Sequence, residues 1–147
     1  MALNQPRKVQ ERGGQKHGHP VLANARIHQG ALVVLAAGWA IAARAGEGAD
    51  NAAKAADAAT LQAVGVAEES VEGGATNGAV RVTTRSGCFL FDNLAGDPVT
   101  RADIGKPCFV ADDETVARTS PNNTRPRAGI VDDLEDAGVW VRVGAGV

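Results

Sequence analysis

The stretch that decides the fold runs from residue 79 to residue 143, where AVRVTT (79–84), CFLFDN (88–93), PCFVAD (107–112) and VWVRV (139–143) follow one another with little but turns between them. A half-buried strand sends successive side chains to opposite faces, so it writes apolar and polar residues with a period of two. VWVRV sets Val139, Val141 and Val143 against Trp140 and Arg142, and AVRVTT sets Val80 and Val82 against Arg81 and Thr83. CFLFDN and PCFVAD are apolar on both faces, the pattern of central strands buried between two layers. Ser86-Gly87, residues 93–98 and residues 132–138 supply the residue types that accept tight or left-handed turns. In TRADIGKP (100–107), Thr100 stands three residues before Asp103, the spacing of a capping box, with Gly105 and Pro107 placed to end the turn. One short helical or 3₁₀ turn is expected there.

Outward from this ladder, ALVVLAAGWAIAA (31–43) is an apolar run shorter than the roughly 20 residues that cross a bilayer, and it starts too late for an ordinary signal peptide. It reads as a buried strand pair kinked near Gly38. RAGEGADNAAKAADAAT (44–60) has helix-favouring alanines and a possible cap at Asp50, but no large apolar side chain before Leu61. Short helices without docking partners are marginal in water, so a mobile surface loop is expected. LQAVGVAEESV (61–71) resumes as strand.

The 147 residues carry a formal net charge of −2, but the charge is divided. Residues 1–30 hold Arg7, Lys8, Arg12, Lys16 and Arg26 against Glu11 alone, together with His17, His19 and His28. So few apolar residues lie there that the segment reads as an extended N-terminal arm over residues 1–29, ordered on meeting a partner, ahead of a β-rich domain over residues 30–147. With three Phe, two Trp and no Tyr, Ala and Val must fill the core. Such shallow packing suits a narrow barrel or sandwich that also buries surface against other subunits.

Chemistry is not legible. Cys88 is the one tempting nucleophile, yet RSGCFLF matches no nucleophile elbow and the histidines lie in the arm. His17, His19 and His28 lack the cysteine that would help complete a four-ligand structural zinc site. Asp112-Asp113-Glu114 and the acidic residues of 132–136 lack the spacing of a calcium loop, and Gly73-Gly74 has no following helix and lysine to cradle phosphate. Cys88 and Cys108 read as reduced core thiols. No catalytic residue, metal or cofactor is assigned, and no enzyme activity is expected. The basic arm could neutralise phosphates, but it has no aromatic residue to stack on bases, and nucleic acid is not the expected partner.

The order GALVVLAAGWAIAARAG, LQAVGVAEESV, VRVTTRSGCFLFDN, TRADIGKPCFVADDETVAR and RAGIVDDLEDAGVWVRVG resembles the small capsid decoration, or cement, proteins of Mu-like and related tailed bacteriophages, over roughly residues 30–144. IGKPCFVADDETVA and the closing AGIVDD…GVWVRV pair are the most specific pieces. The resemblance implies a compact β-barrel or β-tulip domain, assembled as a homo-trimer on the outside of a phage head in the bacterial cytoplasm, where it clamps neighbouring major capsid subunits. It implies that the arm reaches the major capsid protein, through Arg7, Lys8, Arg12, Val21, Leu22, Arg26 and Ile27. Trp39 and Trp140 are candidates for a subunit interface. A different reading is a virion-displayed β-domain that binds host surface or carbohydrate, for which those same tryptophans are the available aromatic platforms.

Overall fold

The computed structural model describes residues 4–8, 10 and 14–144. In chain order the elements are β1 (Lys16–Pro20), β2 (Arg26–Ile27), β3 (Leu32–Ala36), β4 (Trp39–Ala42), the helix α1 (Asn51–Ala58), β5 (Leu61–Ala67), β6 (Val71–Glu72), β7 (Arg81–Arg85), β8 (Gly87–Asn93), β9 (Pro107–Val110), β10 (Thr115–Ala117), β11 (Arg127–Glu135) and β12 (Gly138–Val143). The chain is mostly β, as its alternation predicts, and the expected 3₁₀ turn is present at Arg101–Asp103 with a Thr100–Asp103 capping box.

The C-terminal strands form a closed barrel in the order β10-β8-β12-β11-β9. Closure comes from a parallel pair, Thr115 beside Asp92 and Val116 beside Asn93, while the other ladders are antiparallel. Val139, Val141 and Val143 point inward with Val131, Val110, Val116, Cys108 and Phe91. The side chains are small because the interior is narrow. At Gly129 even a Cβ would collide with the carbonyl oxygen of Arg142. Residues 132–135, read from sequence as turn, belong to β11, which leaves Asp136-Ala137 as a two-residue turn and places a bulge between Val131 and Asp133.

CFLFDN is not buried on both faces. Phe91 is enclosed, but Cys88 is exposed and Leu90 is 42% exposed, because a closed barrel has an outer surface and no second layer covers this part of it. In PCFVAD, Cys108 and Val110 are buried and Phe109 is half-buried.

The N-terminal half forms a second sheet, ordered β1-β7-β5-β3-β4. Just beyond β1 the chain turns back: the Val21 amide donates to the Val80 carbonyl, the Leu22 amide donates to the Ala40 carbonyl, and Val21 bridges Ala40 in parallel. This joins the sheet's two ends around a core of Val21, Ile27, Ala31, Val33, Ala40, Ala67 and Val82. On β3, Val33 enters that core whereas Leu32 and Val34 join the barrel's. One sheet is therefore a wall shared by two cores. The β3–β4 turn has positive φ at Ala37 (49°) and Gly38 (92°), the two-residue hairpin geometry that matches strand twist, as the break at Gly38 predicts.

Two further expectations are corrected. Residues 1–29 are not one arm, because KHGHP pairs with β7 along its whole length, Lys16 beside Arg85 through Pro20 beside Arg81, and β2 pairs with β6. Composition hid this: strand pairing needs a backbone partner, and β7 provides one, reinforced by Thr84 Oγ1 donating to the His17 carbonyl and Arg81 donating to the Gly18 carbonyl. Nor is the Ala-rich stretch a loop, because Asp50 caps α1 by accepting from the Ala53 amide at 2.8 Å. The helix docks through contacts that need no large apolar residue. Arg44 Nη1 lies 2.5 Å from Asp57 Oδ2, the Glu47 amide donates to the same carboxylate, and Gly46 lies so close to α1 that a Cβ would strike the Lys54 carbonyl.

Candidate functional site

The arm residues expected to bind a partner are divided by the fold. Arg7 and Lys8 are exposed; Arg12 lies outside the described residues. Val21 and Ile27 are fully buried and Leu22 is half-buried, so these three are core and not contact residues. Arg26 is exposed in an ion pair with Glu72. Immediately before β1 the chain is tied down, the Gln15 carbonyl accepting from the Ser86 amide at 2.8 Å.

Trp39 lies across Gly78, where its ring leaves no comfortable room for a Cβ, close to Pro20. It is half-buried and serves the fold of the N-terminal sheet. Trp140 is half-buried on the outer face of the barrel, opposite Leu90 on one side and Asp133 on the other. The two tryptophans therefore occupy different structures.

A groove of about 520 Å³, not legible in the sequence, runs between α1 and the barrel. Ala55, Ala59, Leu61, Phe109 and Pro126 form its apolar part, and Arg118, Arg125 and Arg127 its cationic part. Arg125 Nη1 is 2.9 Å from Asp97 Oδ2 and also donates to the Thr119 carbonyl. Arg118 donates through Nε to Asp103 Oδ1 at 3.2 Å, and its side chain is half exposed. Arg127 is exposed and has no ion pair among the described residues.

The carboxylates behind the groove are strongly held. The Asp97 carboxyl is pushed below its ordinary range by the Thr119 hydroxyl first, with the Thr119 amide and Arg125 adding to this against the opposing cost of burial. Asp103 is pushed the same way, first by the Thr100 amide, then by the Thr100 hydroxyl and Arg118. These hydrogen bonds favour the ionised form. The segment between β10 and β11 that carries Arg118 and Arg125 is braced further by Ser120, whose hydroxyl donates to the Arg125 carbonyl and accepts from the Arg125 amide. Asn122 and Asn123 both adopt left-handed backbone there, a conformation asparagine accepts more readily than most residues.

Cys88 and Cys108 are both free thiols; burial pushes the Cys108 pKa up to about 12, which suppresses the reactive thiolate. Among the described residues no group of three or more His, Cys, Asp or Glu side chains could hold a metal ion, and no helix is long and apolar enough to cross a membrane. His17 and His19 lie with ring centroids 6.4 Å apart on β1.

Comparison with known protein families, with curated proteins and with solved structures gives no match for this chain.

Proposed function

We propose that this chain is a virion structural protein of the capsid-decoration type, which binds the outer surface of a phage head as a trimer and clamps neighbouring major capsid subunits. The observation that carries this reading is the pairing of a β body with exposed basic residues ahead of it, Arg7 and Lys8. The segment resemblance described above supports the same reading. An extended N-terminal lead can satisfy the unmet backbone groups of a strand edge on another protein. Each hydrogen bond so made is worth only about 0.5–1.5 kcal/mol net. Several leads on one assembly would bind far more tightly than one, through effective concentration.

The fold changes how this reading is tested. Removing residues 1–27 would delete β1, β2 and two core side chains, so lost binding would say nothing about the lead. Removing residues 1–14 spares β1 through β12. The expected result is that the shortened protein folds as the full chain does but no longer sediments with expanded phage heads. Equal binding by the two proteins would sink the proposed arm mechanism, and failure of the full chain to bind heads would sink the capsid reading.

A further inference from the structure

We propose that the groove between α1 and the barrel receives the acidic β11–β12 hairpin tip of a second copy of this chain. The groove side is an apolar floor edged by cations. Arg118 and Arg125 are partly neutralised by Asp103 and Asp97, but Arg127 adds a positive charge with no ion-pair partner among the described residues. An apolar floor with an unpaired guanidinium suits a segment that carries carboxylates beside small apolar groups.

The β11–β12 tip has that chemistry. Glu135, Asp136 and Ala137 are all exposed, and neither Glu135 nor Asp136 has an ion-pair partner among the described residues. The tip is narrow because Asp136-Ala137 is all that joins the strands. Next to it on the outer face stand Leu90, 42% exposed, and half-buried Trp140. These provide apolar area around the acidic point, as the groove provides it around the basic one.

The placement of the two surfaces requires a second copy. Arg127 begins β11 and Glu135 ends it, so at ~3.3 Å per residue they lie roughly 26 Å apart at opposite ends of one strand. A chain cannot bring its own tip into its own groove without breaking the barrel. Two copies can join head to tail, and the contact is heterologous: it builds closed rings or open chains, not a two-fold dimer. The inference concerns self-association and holds whether or not the protein binds a capsid.

The test uses the full chain in analytical ultracentrifugation. The parent protein is expected to associate, and its association constant should fall at least tenfold as salt rises from about 0.05 to about 0.3 M, because the contact pairs exposed charges. Arg127→Glu and the double variant Glu135→Lys/Asp136→Lys should each be monomeric, with unchanged circular dichroism because these side chains are exposed. Mixed together, the first variant still offers an intact tip and the second an intact groove. The mixture should associate again, and because the reversed groove and the reversed tip also carry opposite charges, the two variants should alternate in whatever assembly forms. The proposal falls if the parent is monomeric, if its association ignores salt, if either variant associates as the parent does, or if the mixture fails to pair. Should a charge reversal disturb folding, Arg127→Gln paired with Glu135→Gln/Asp136→Asn applies the same criteria, each side expected to weaken association at least tenfold.

Discussion

The C-terminal barrel closes through a regular strand pair, β10 against β8, whereas the N-terminal sheet closes through a single bridge, Val21 against Ala40. All the strands of the barrel come from residues 87–143, so its closure is internal to one continuous piece of chain. The N-terminal sheet instead needs β1 to meet β7, more than sixty residues away, as the pairing of Lys16 with Arg85 makes plain. Its seam is short and depends on β1 and the residues Val21 and Leu22 that follow it. The barrel has no such weak end.

Deleting residues 1–27 tests this contrast most severely. It removes the fully buried Val21 and Ile27 and strips β7 of its β1 ladder, leaving donors and acceptors unpaired on an edge. Loss of two such core side chains exceeds what a typical domain can absorb. The expected outcome by thermal circular dichroism is loss of the cooperative transition, against an unchanged transition for deletion of residues 1–14. A shortened chain lacking 1–27 that melts like the full protein would mean the bridge is not what closes the second core.

Glycine substitutions compare the stiffness of the two halves. A Cβ at Gly129 strikes the Arg142 carbonyl inside the closed barrel, and one at Gly73 strikes the Leu22 carbonyl, which belongs to the connection after β1. Both must displace backbone, but only the second backbone lies outside regular strands and can yield. Gly129→Ala should cost about 3 kcal/mol or more and Gly73→Ala about 1 kcal/mol, read from urea midpoints at constant slope. Equal costs would show that the seam is as rigid as the barrel.

The same contrast explains what the sequence disclosed. VWVRV and AVRVTT announce their inner faces because valines, large enough to register, recur at every second position. The Gly38 break and the Thr100–Asp103 box are local, and local signals survive translation into structure. KHGHP has no such signature: its place in the sheet is decided by β7, a partner far along the chain. Residues 51–58 failed for a related reason, since the docking of α1 rests on Arg44, Gly46 and Asp57 and not on an apolar stripe. The Arg118, Arg125 and Arg127 groove was invisible because its cations are brought together with α1 only by folding.

Acid should weaken both halves, and the barrel's share can be isolated. The Asp97, Asp103 and Asp57 carboxyls are all held below the ordinary range near ~4. A depressed folded-state pKa contributes stability that is fully present above the unfolded value and is lost as pH falls through the folded one. Asp103 is 5% exposed, with three hydrogen bonds from Thr100 and Arg118. Asp103→Asn is expected to lower stability at neutral pH by about 1–3 kcal/mol and to flatten the decline below pH ~4. An acid limb as steep as the parent's would assign the decline to other carboxylates.

The smallest effect belongs to α1, which forms one wall of the groove. Asp50→Ala removes the side chain that accepts from the Ala53 amide and should cost about 1 kcal/mol, or roughly a fivefold rise in local opening of α1. Hydrogen exchange should find that rise in residues 53–58, while β11 and β12 keep their protection because their ladder does not involve the helix. If the loss instead appeared across the barrel, α1 would be part of the barrel's cooperative unit. Confined to the helix, it would mean that one wall of the groove can loosen while the other, carrying Arg127, stays fixed.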